Sequence, residues 1–305
     1  MTSIKNVGLI GRGLFGSAVL PALIDAGFIV TVFSRSQQNK LSLPTDVNFV
    51  TVDYESVDNM AEAFRNQDAI VSTISFDSIL AQKPMIDAAV QAGVKRFIPA
   101  DYTSFSTDPA ASALPQHLPL KAVQAHLHDY ANKGRMEYSI VATGVFLEFL
   151  IDRGFAVNWH DKTAQLWGEA NHPISTTSLA AAAKAVAAVL KNADQTANRA
   201  VYVNELVVTQ GQILSLGKKV APTSTEWAAT NIKDPDAEFE RRLQAVAQKP
   251  EMPSIMALVV GTLLSGKFRA QFDTLDNDLL GIKTLDETAL EARIAAVLGI
   301  SEDKP

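Results

Sequence analysis

A chain of 305 residues carrying a net charge of -6 has no overall attraction for nucleic acid, and no cluster of Lys and Arg offsets that balance. With 47% hydrophobic and 20% charged residues it reads as an ordinary globular protein, long enough for one large α/β domain or for a nucleotide-binding domain with a substrate portion attached, the second being the expectation. The absence of cysteine excludes disulfides, thiolate nucleophiles and Cys-ligated zinc, and no metal is expected.

The first apolar run, 7–11, is interrupted by Arg12 too soon for a signal peptide, so the expected location is the cytoplasm. Short apolar runs then alternate with longer helical patterns, the signature of βα units building a parallel sheet. Strands are predicted at 6–10, 29–33, 48–52, 69–74, 96–99 and 138–142, with Val and Ile content that fits strands covered on both faces. Helices are predicted at 13–26, 56–65, 77–92 and 120–132, and Gly27, Gly93 and Gly134 close three of them. Pro21 should bend the first helix. The stretch 106–119, with Pro109, Pro115 and Pro119, reads as a long loop of the kind that covers sites.

Beyond Phe146 the alternation weakens. An Ala-rich helix at 179–190, a strand at 201–204 and helices at 210–219, 237–247 and 287–298 are expected, with 234–242 as a solvated charged face. The apolar stretch 252–265 is too short to span a bilayer, which takes roughly twenty residues, and reads as a buried helix. The fold class is therefore α/β: a Rossmann-type doubly wound parallel sheet with a smaller, mainly C-terminal α+β substrate-binding portion. The boundary falls near 155, with segments at about 173–205 returning to the first domain.

Gly11, Gly13 and Gly16 form G-x-G-x-x-G directly after a strand and at the start of a helix. Gly11 permits the tight turn, Gly13 the approach of a pyrophosphate, and Gly16 close helix–strand packing, with Leu14 and Phe15 between them at the helix N-terminus. At the end of the second strand, where NAD sites commonly place an acid, stand Ser34 and Arg35. A guanidinium suits a 2'-phosphate, with Lys40 as a further donor, so NADP(H) is the expected cofactor; the alternative is a plain surface arginine. Asp53 faces the adenine or caps a helix. Thr73, Ile74 and Ser75 end the fourth strand, where Rossmann ligands lie.

The segment from Arg96 to Tyr102, then Lys121 opening a helix, then Tyr138 to Phe146, resembles the isoflavone reductase-like and NmrA-like branch of atypical short-chain dehydrogenases. The resemblance extends weakly through 197–203 and 266–298. It implies hydride delivery from NADPH to a conjugated or benzylic carbon of a small aromatic or enone-like metabolite. It also implies that Lys121 serves proton transfer and cofactor positioning, with Thr143, Val145 and Phe146 along the cofactor. The glycine loop is one residue shorter than the family's usual form, and Ala100-Asp101-Tyr102 replaces its common Ser-Glu-Phe. His117 stands before Lys121 where ordinary short-chain enzymes carry tyrosine; it either assists proton transfer or lies on the surface of the loop. His126 and His128 are expected on a helix face. Tyr102, Phe105, Phe146 and Phe149 either wall an aromatic substrate or pack in the core.

The expected partner is thus a small molecule, with no nucleic acid and no membrane; monomer and homodimer are both compatible with the sequence. Two other functions stand beside the reductase. One is a non-catalytic NADP(H)-sensing regulator, which the NmrA-like side of the family includes. The other is a 3-hydroxyacid dehydrogenase, whose opening 7–16 and 30–35 also resemble, but the long all-helical second domain it needs is not found in the sequence.

Overall fold

The structure, a computed structural model, describes residues 3–37, 40, 43–45, 47–103 and 105–300. Its main feature is a seven-stranded sheet. The strands β1 (Asn6–Ile10), β2 (Ile29–Ser34), β3 (Asn48–Thr51), β4 (Ala69–Ser72), β5 (Arg96–Ile98) and β6 (Glu137–Ala142) come from the first half of the chain. Between them lie α1 (Leu14–Asp25), α2 (Val57–Ala63), α3 (Gln82–Gln91) and α4 (Leu118–Asn132).

The second half adds β7 (Val145–Phe146), a π turn (Glu148–Asp152), β8 (Thr163–Trp167), β9 (Ile174–Thr177), α5 (Leu179–Lys191), α6 (Ala193–Thr196), β10 (Arg199–Tyr202) and β11 (Leu206–Val208). It ends with α7 (Gln210–Val220), β12 (Ala228–Ile232), α8 (Pro235–Gln248), α9 (Met252–Leu264), α10 (Asn277–Leu280) and α11 (Glu287–Val297). The large sheet is parallel throughout, in the order β10-β6-β5-β4-β1-β2-β3. This doubly wound order reverses direction at β1 and β4, where ligands of such sheets bind.

Helices cover both faces, so the strands are apolar on both. One core joins the sheet to α1 and α5 through Val7, Leu9, Val19, Leu23, Val71 and Val186. The alanines of α5 at 181, 182, 183 and 185 are buried there, and their small side chains let α5 lie close to α1. The opposite core packs Ile70, Phe97 and Phe33 against α2, α3 and α4. A third core fills the C-terminal portion around Leu150, Trp167, Phe239 and Leu263. Two small sheets belong to that portion, β11-β9-β7 and β12-β8.

Several expectations need correction. α1 spans Leu14–Asp25, one residue shorter at each end than read, with Pro21 inside it. The fourth strand stops at Ser72, so Thr73 and Ile74 form the turn beyond it. The helix expected at 77–92 begins as a 3-10 turn, Phe76–Ala81, before becoming α. The loop 106–119 is shorter than read: it holds 3-10 turns at Ala111–Ala113 and Pro115–His117, and α4 starts at Leu118 with Pro119 in its first turn, where a missing N–H costs nothing. The strand read at 201–204 is Arg199–Tyr202. The charged face 234–242 is not wholly solvated, because α8 buries Phe239 and Arg242. α9 is buried mainly toward its C-terminal end: Leu258 and the last turn, 261–264, are buried while Met252 is exposed. Strands β7, β8, β9, β11 and β12 lie outside the expectations; β9 reads Ile-Ser-Thr-Thr and β12 is mostly exposed, so neither carries the apolar run of a covered strand.

Candidate active site

The C-terminal ends of the parallel strands meet along one edge, so the turns after β1, β2, β4, β5 and β6 assemble there. The turn after β1 is fixed by backbone geometry. Gly11 has φ +87°, a left-handed value that favours glycine, and a Cβ on it would lie 2.9 Å from the Thr73 carbonyl. A Cβ on Gly16 would lie 2.3 Å from the Gly11 carbonyl oxygen and 2.5 Å from Thr73 Oγ1. Gly13, by contrast, has no atom within 4 Å of its Cβ position. It caps α1 without a side-chain hydrogen bond, and the first turn holds no acid. The result is an open backbone cradle at a helix N-terminus, which suits a diphosphate. Leu14 is exposed beside it, and Phe15 turns inward, edge-on to Tyr102 at 4.5 Å and 5.1 Å from Phe146.

Thr73 is committed to the turn itself: its N–H donates to the Ile10 carbonyl (2.8 Å) and its hydroxyl to the Gly11 carbonyl (2.7 Å). Ile74 is half-buried, and Ser75 is exposed with its hydroxyl bonded to Asp77. After β2, the Ser34 hydroxyl accepts from the Ser36 N–H (3.3 Å), while Arg35 and Lys40 are exposed. The Arg35 guanidinium lies 6.0 Å from the Tyr54 ring centre, and the Tyr54 hydroxyl donates to the Phe33 carbonyl (3.0 Å). Burial pushes the Tyr54 phenol up to about 12, against the pull of Arg35, so the ring is a neutral prop for the cation. Tyr54 escaped sequence reasoning; an aromatic residue next to Asp53 was the available signal. Asp53 is no helix cap. Its carboxylate accepts the Glu55 N–H (3.0 Å), and Ser56 caps α2.

The turn after β5 is held by side chains. Asp101 is buried and accepts hydrogen bonds from the Ser106 hydroxyl (2.6 Å) and the Gln124 amide (2.7 Å). Burial raises its pKa above the ordinary carboxyl value, although these donors pull the other way. Gln124 lies one turn after Lys121 in α4, so this network anchors the helix that carries the lysine. Lys121 itself is exposed, and no ion pair engages it among the described residues. Tyr102 donates its hydroxyl to the Ser72 carbonyl (2.9 Å), and burial pushes its pKa above the usual phenol value. Asp101 and Gln124 were not picked out as site residues, because only the fold brings α4 to the β5 turn.

His117 is buried, which excludes the surface-loop alternative. Its Nδ1 bonds to the Ala111 carbonyl (2.8 Å), an acceptor, so Nδ1 carries the hydrogen and Nε2 keeps its lone pair. Burial holds its pKa below the ordinary imidazole value. Phe105 is buried in the C-terminal core near the His117 ring. Thr143 is buried with its hydroxyl donated to the Tyr102 carbonyl (2.8 Å), while Val145 and Phe146 form β7 and are half-buried. Phe149 is half-buried in the π turn, 6.1 Å from Phe146. His126 and His128 lie on α4; His126 Nε2 meets Asp87 at 2.6 Å.

A cavity of about 490 Å³ lies elsewhere, between β11 and the segment leading to α11. Its carboxylates are engaged: Glu205 accepts the Ser178 N–H, Asp286 caps α11, Glu287 takes the Gln212 amide and Asp273 pairs with Arg269. Among the described residues no His, Asp and Glu group is arranged to hold a metal, and no helix is long and apolar enough to cross a membrane.

The profile of the NmrA-like family matches residues 6–235. The chain belongs to the NmrA-like family. Among curated relatives, the oxidoreductase aprR of Aspergillus flavus is 29% identical, over 93% of this chain and 97% of its own. Among solved structures of this fold, the Citrobacter triphenylmethane reductase complexed with NADP(H) superposes with a TM-score of 0.72 at 16% identity, covering 96% of this chain and all (100%) of the other. The leucoanthocyanidin reductase of Vitis vinifera, in a ternary complex, gives 0.70 at 14%, covering 97% and 100%.

Proposed function

We propose that this protein is an NADPH-dependent reductase that acts on a small conjugated or aromatic metabolite, with Lys121 as the proton-transfer group. The observation that carries the reading is the turn after β1, where blocked Cβ positions at Gly11 and Gly16 flank an open one at Gly13. That pattern fits a diphosphate seated on the α1 N-terminus. The relatives lend support through their names: an oxidoreductase at 29% identity and reductases of the same fold, one of them complexed with NADP(H).

NADPH, when bound, supplies the hydride. Gly13 and the free N–H groups of α1 would hold its diphosphate, and Arg35, propped by Tyr54, would pair with the 2'-phosphate, with Lys40 as a second cation. The Lys121 ammonium then donates a proton to the oxyanion or phenolate that hydride addition leaves on the substrate. Tyr102 is a poor proton donor here, since its hydroxyl is spent on the Ser72 carbonyl. The bare Nε2 of His117 can only accept a proton at neutral pH, so it would serve the reverse, oxidative direction rather than the donation assigned to Lys121.

The test is NADPH oxidation measured with conjugated ketones, quinones, isoflavones and benzylic ethers, for the wild type and Lys121→Ala. Turnover of at least one class, falling by about a hundredfold or more in the variant, is expected. Tight NADPH binding with no turnover across the panel would favour the sensor instead. Undiminished turnover by Lys121→Ala would remove the lysine from the mechanism.

A further inference from the structure

Phe149 stands at a seam. Phe146 packs against the core of the dinucleotide-binding sheet, and Phe155 packs against the C-terminal core. Phe149 lies between them, 6.1 Å from one ring and 5.7 Å from the other, and belongs to none of the three cores. Both contacts are tilted by 31°, so the three rings form a continuous aromatic strip, which Phe146 joins to the buried Phe15 of the glycine turn at 5.1 Å. A ring left half-buried at the seam between two cores keeps an edge open to a ligand.

A cation completes this surface. The Arg153 guanidinium lies 4.7 Å from the Phe149 ring centre and is exposed. The neighbouring carboxylates do not pair with it: Arg293 takes both Glu148 (3.1 Å) and Asp152 (2.6 Å), and no ion pair engages Arg153 among the described residues. The backbone bringing Phe149 and Arg153 together is a π turn, closed by the Arg153 N–H on the Glu148 carbonyl (3.0 Å), a form that recurs at functional sites. Stacking on an aromatic face leaves the N–H donors of a guanidinium free for an anion.

We propose that the substrate of this site is a flat aromatic molecule bearing an anionic group, its ring against Phe146 and Phe149 and its anion paired with Arg153. The inference rests on the reductase reading and narrows its substrate class. The Arg153 pair would orient the ring along the strip, with its reactive end toward Phe15 and the glycine turn.

Binding to the NADP-loaded protein is measured by calorimetry for matched pairs of probes: 4-hydroxycinnamate with its methyl ester, and 1,4-naphthoquinone-2-sulfonate with 1,4-naphthoquinone. The anionic member should bind about tenfold tighter or more. Arg153→Gln should erase that preference and Arg153→Lys keep most of it, with NADPH affinity unchanged in both. Equal affinity within every pair, a preference that persists in Arg153→Gln, or no binding of any probe to the NADP-loaded protein would overturn the proposal. A protein that fails to bind NADPH at all would instead remove the reading beneath it.

Discussion

Two turns on the same edge of the sheet are built in opposite ways. The turn after β1 is made of backbone: glycines whose missing Cβ atoms let the chain fold on itself and leave a helix N-terminus open. The turn after β5 is made of side chains, with buried Asp101 tied to Ser106 and Gln124, Tyr102 tied to Ser72, and His117 tied to Ala111. The first is stable because atoms are absent and the second because distant groups meet. A substitution in the first should act through space, and one in the second through lost partners and pH.

The largest effect should come from Gly16→Val, whose Cβ would press on the Gly11 carbonyl at 2.3 Å. Backbone cannot give way cheaply, so a loss of about 3 kcal/mol or more in urea unfolding is expected. Gly13→Val breaks the comparison from the other side. Its φ of -76° is open to any residue and its Cβ meets nothing, so only the poorer helix cap should cost stability, about 1 kcal/mol, while NADPH affinity falls at least about tenfold. Similar destabilisation by both variants would mean that the open cradle at Gly13 is not real.

In the second turn, Asp101→Ala strips partners from buried Ser106 and Gln124 and should cost about 2 kcal/mol. Asp101→Asn addresses the charge. Because burial raises the folded pKa of Asp101, the native state binds its proton more readily than the unfolded state, and stability falls as pH rises from the ordinary 3.8 through the raised value. Urea midpoints of the wild type should therefore decline relative to Asp101→Asn over that range. His117 has the opposite sign. Its folded pKa is lowered, so the wild type should lose stability as pH falls below the ordinary 6.5, a loss that His117→Gln should not share. The smallest effect is Tyr102→Phe, which removes one hydrogen bond to a carbonyl and should cost about 1 kcal/mol.

The same contrast governs what could be read from the sequence. The first six strands and their helices were legible because each is a local period, and Gly11, Gly13 and Gly16 because the turn they make is contained in six consecutive residues. Asp101 and Gln124 are 23 positions apart and meet only when α4 packs beside β5. The end of the proline-rich loop differs from the reading because Pro119 counts there as a loop residue, whereas it lies in the first turn of α4, which tolerates proline. Burial of His117 and Phe105 depends on the C-terminal core, to which Gln116 is tied through Thr262 (3.1 Å), and that contact spans 146 residues.

The most direct measurement is calorimetric titration with NADPH and NADH, on the wild type and on Arg35→Ala. If the glycine turn seats a dinucleotide and the Tyr54-propped guanidinium selects its 2'-phosphate, NADPH should bind at least about tenfold tighter than NADH, and Arg35→Ala should bring the two together. Equal affinity of the wild type for both, or no binding of either, would contradict it.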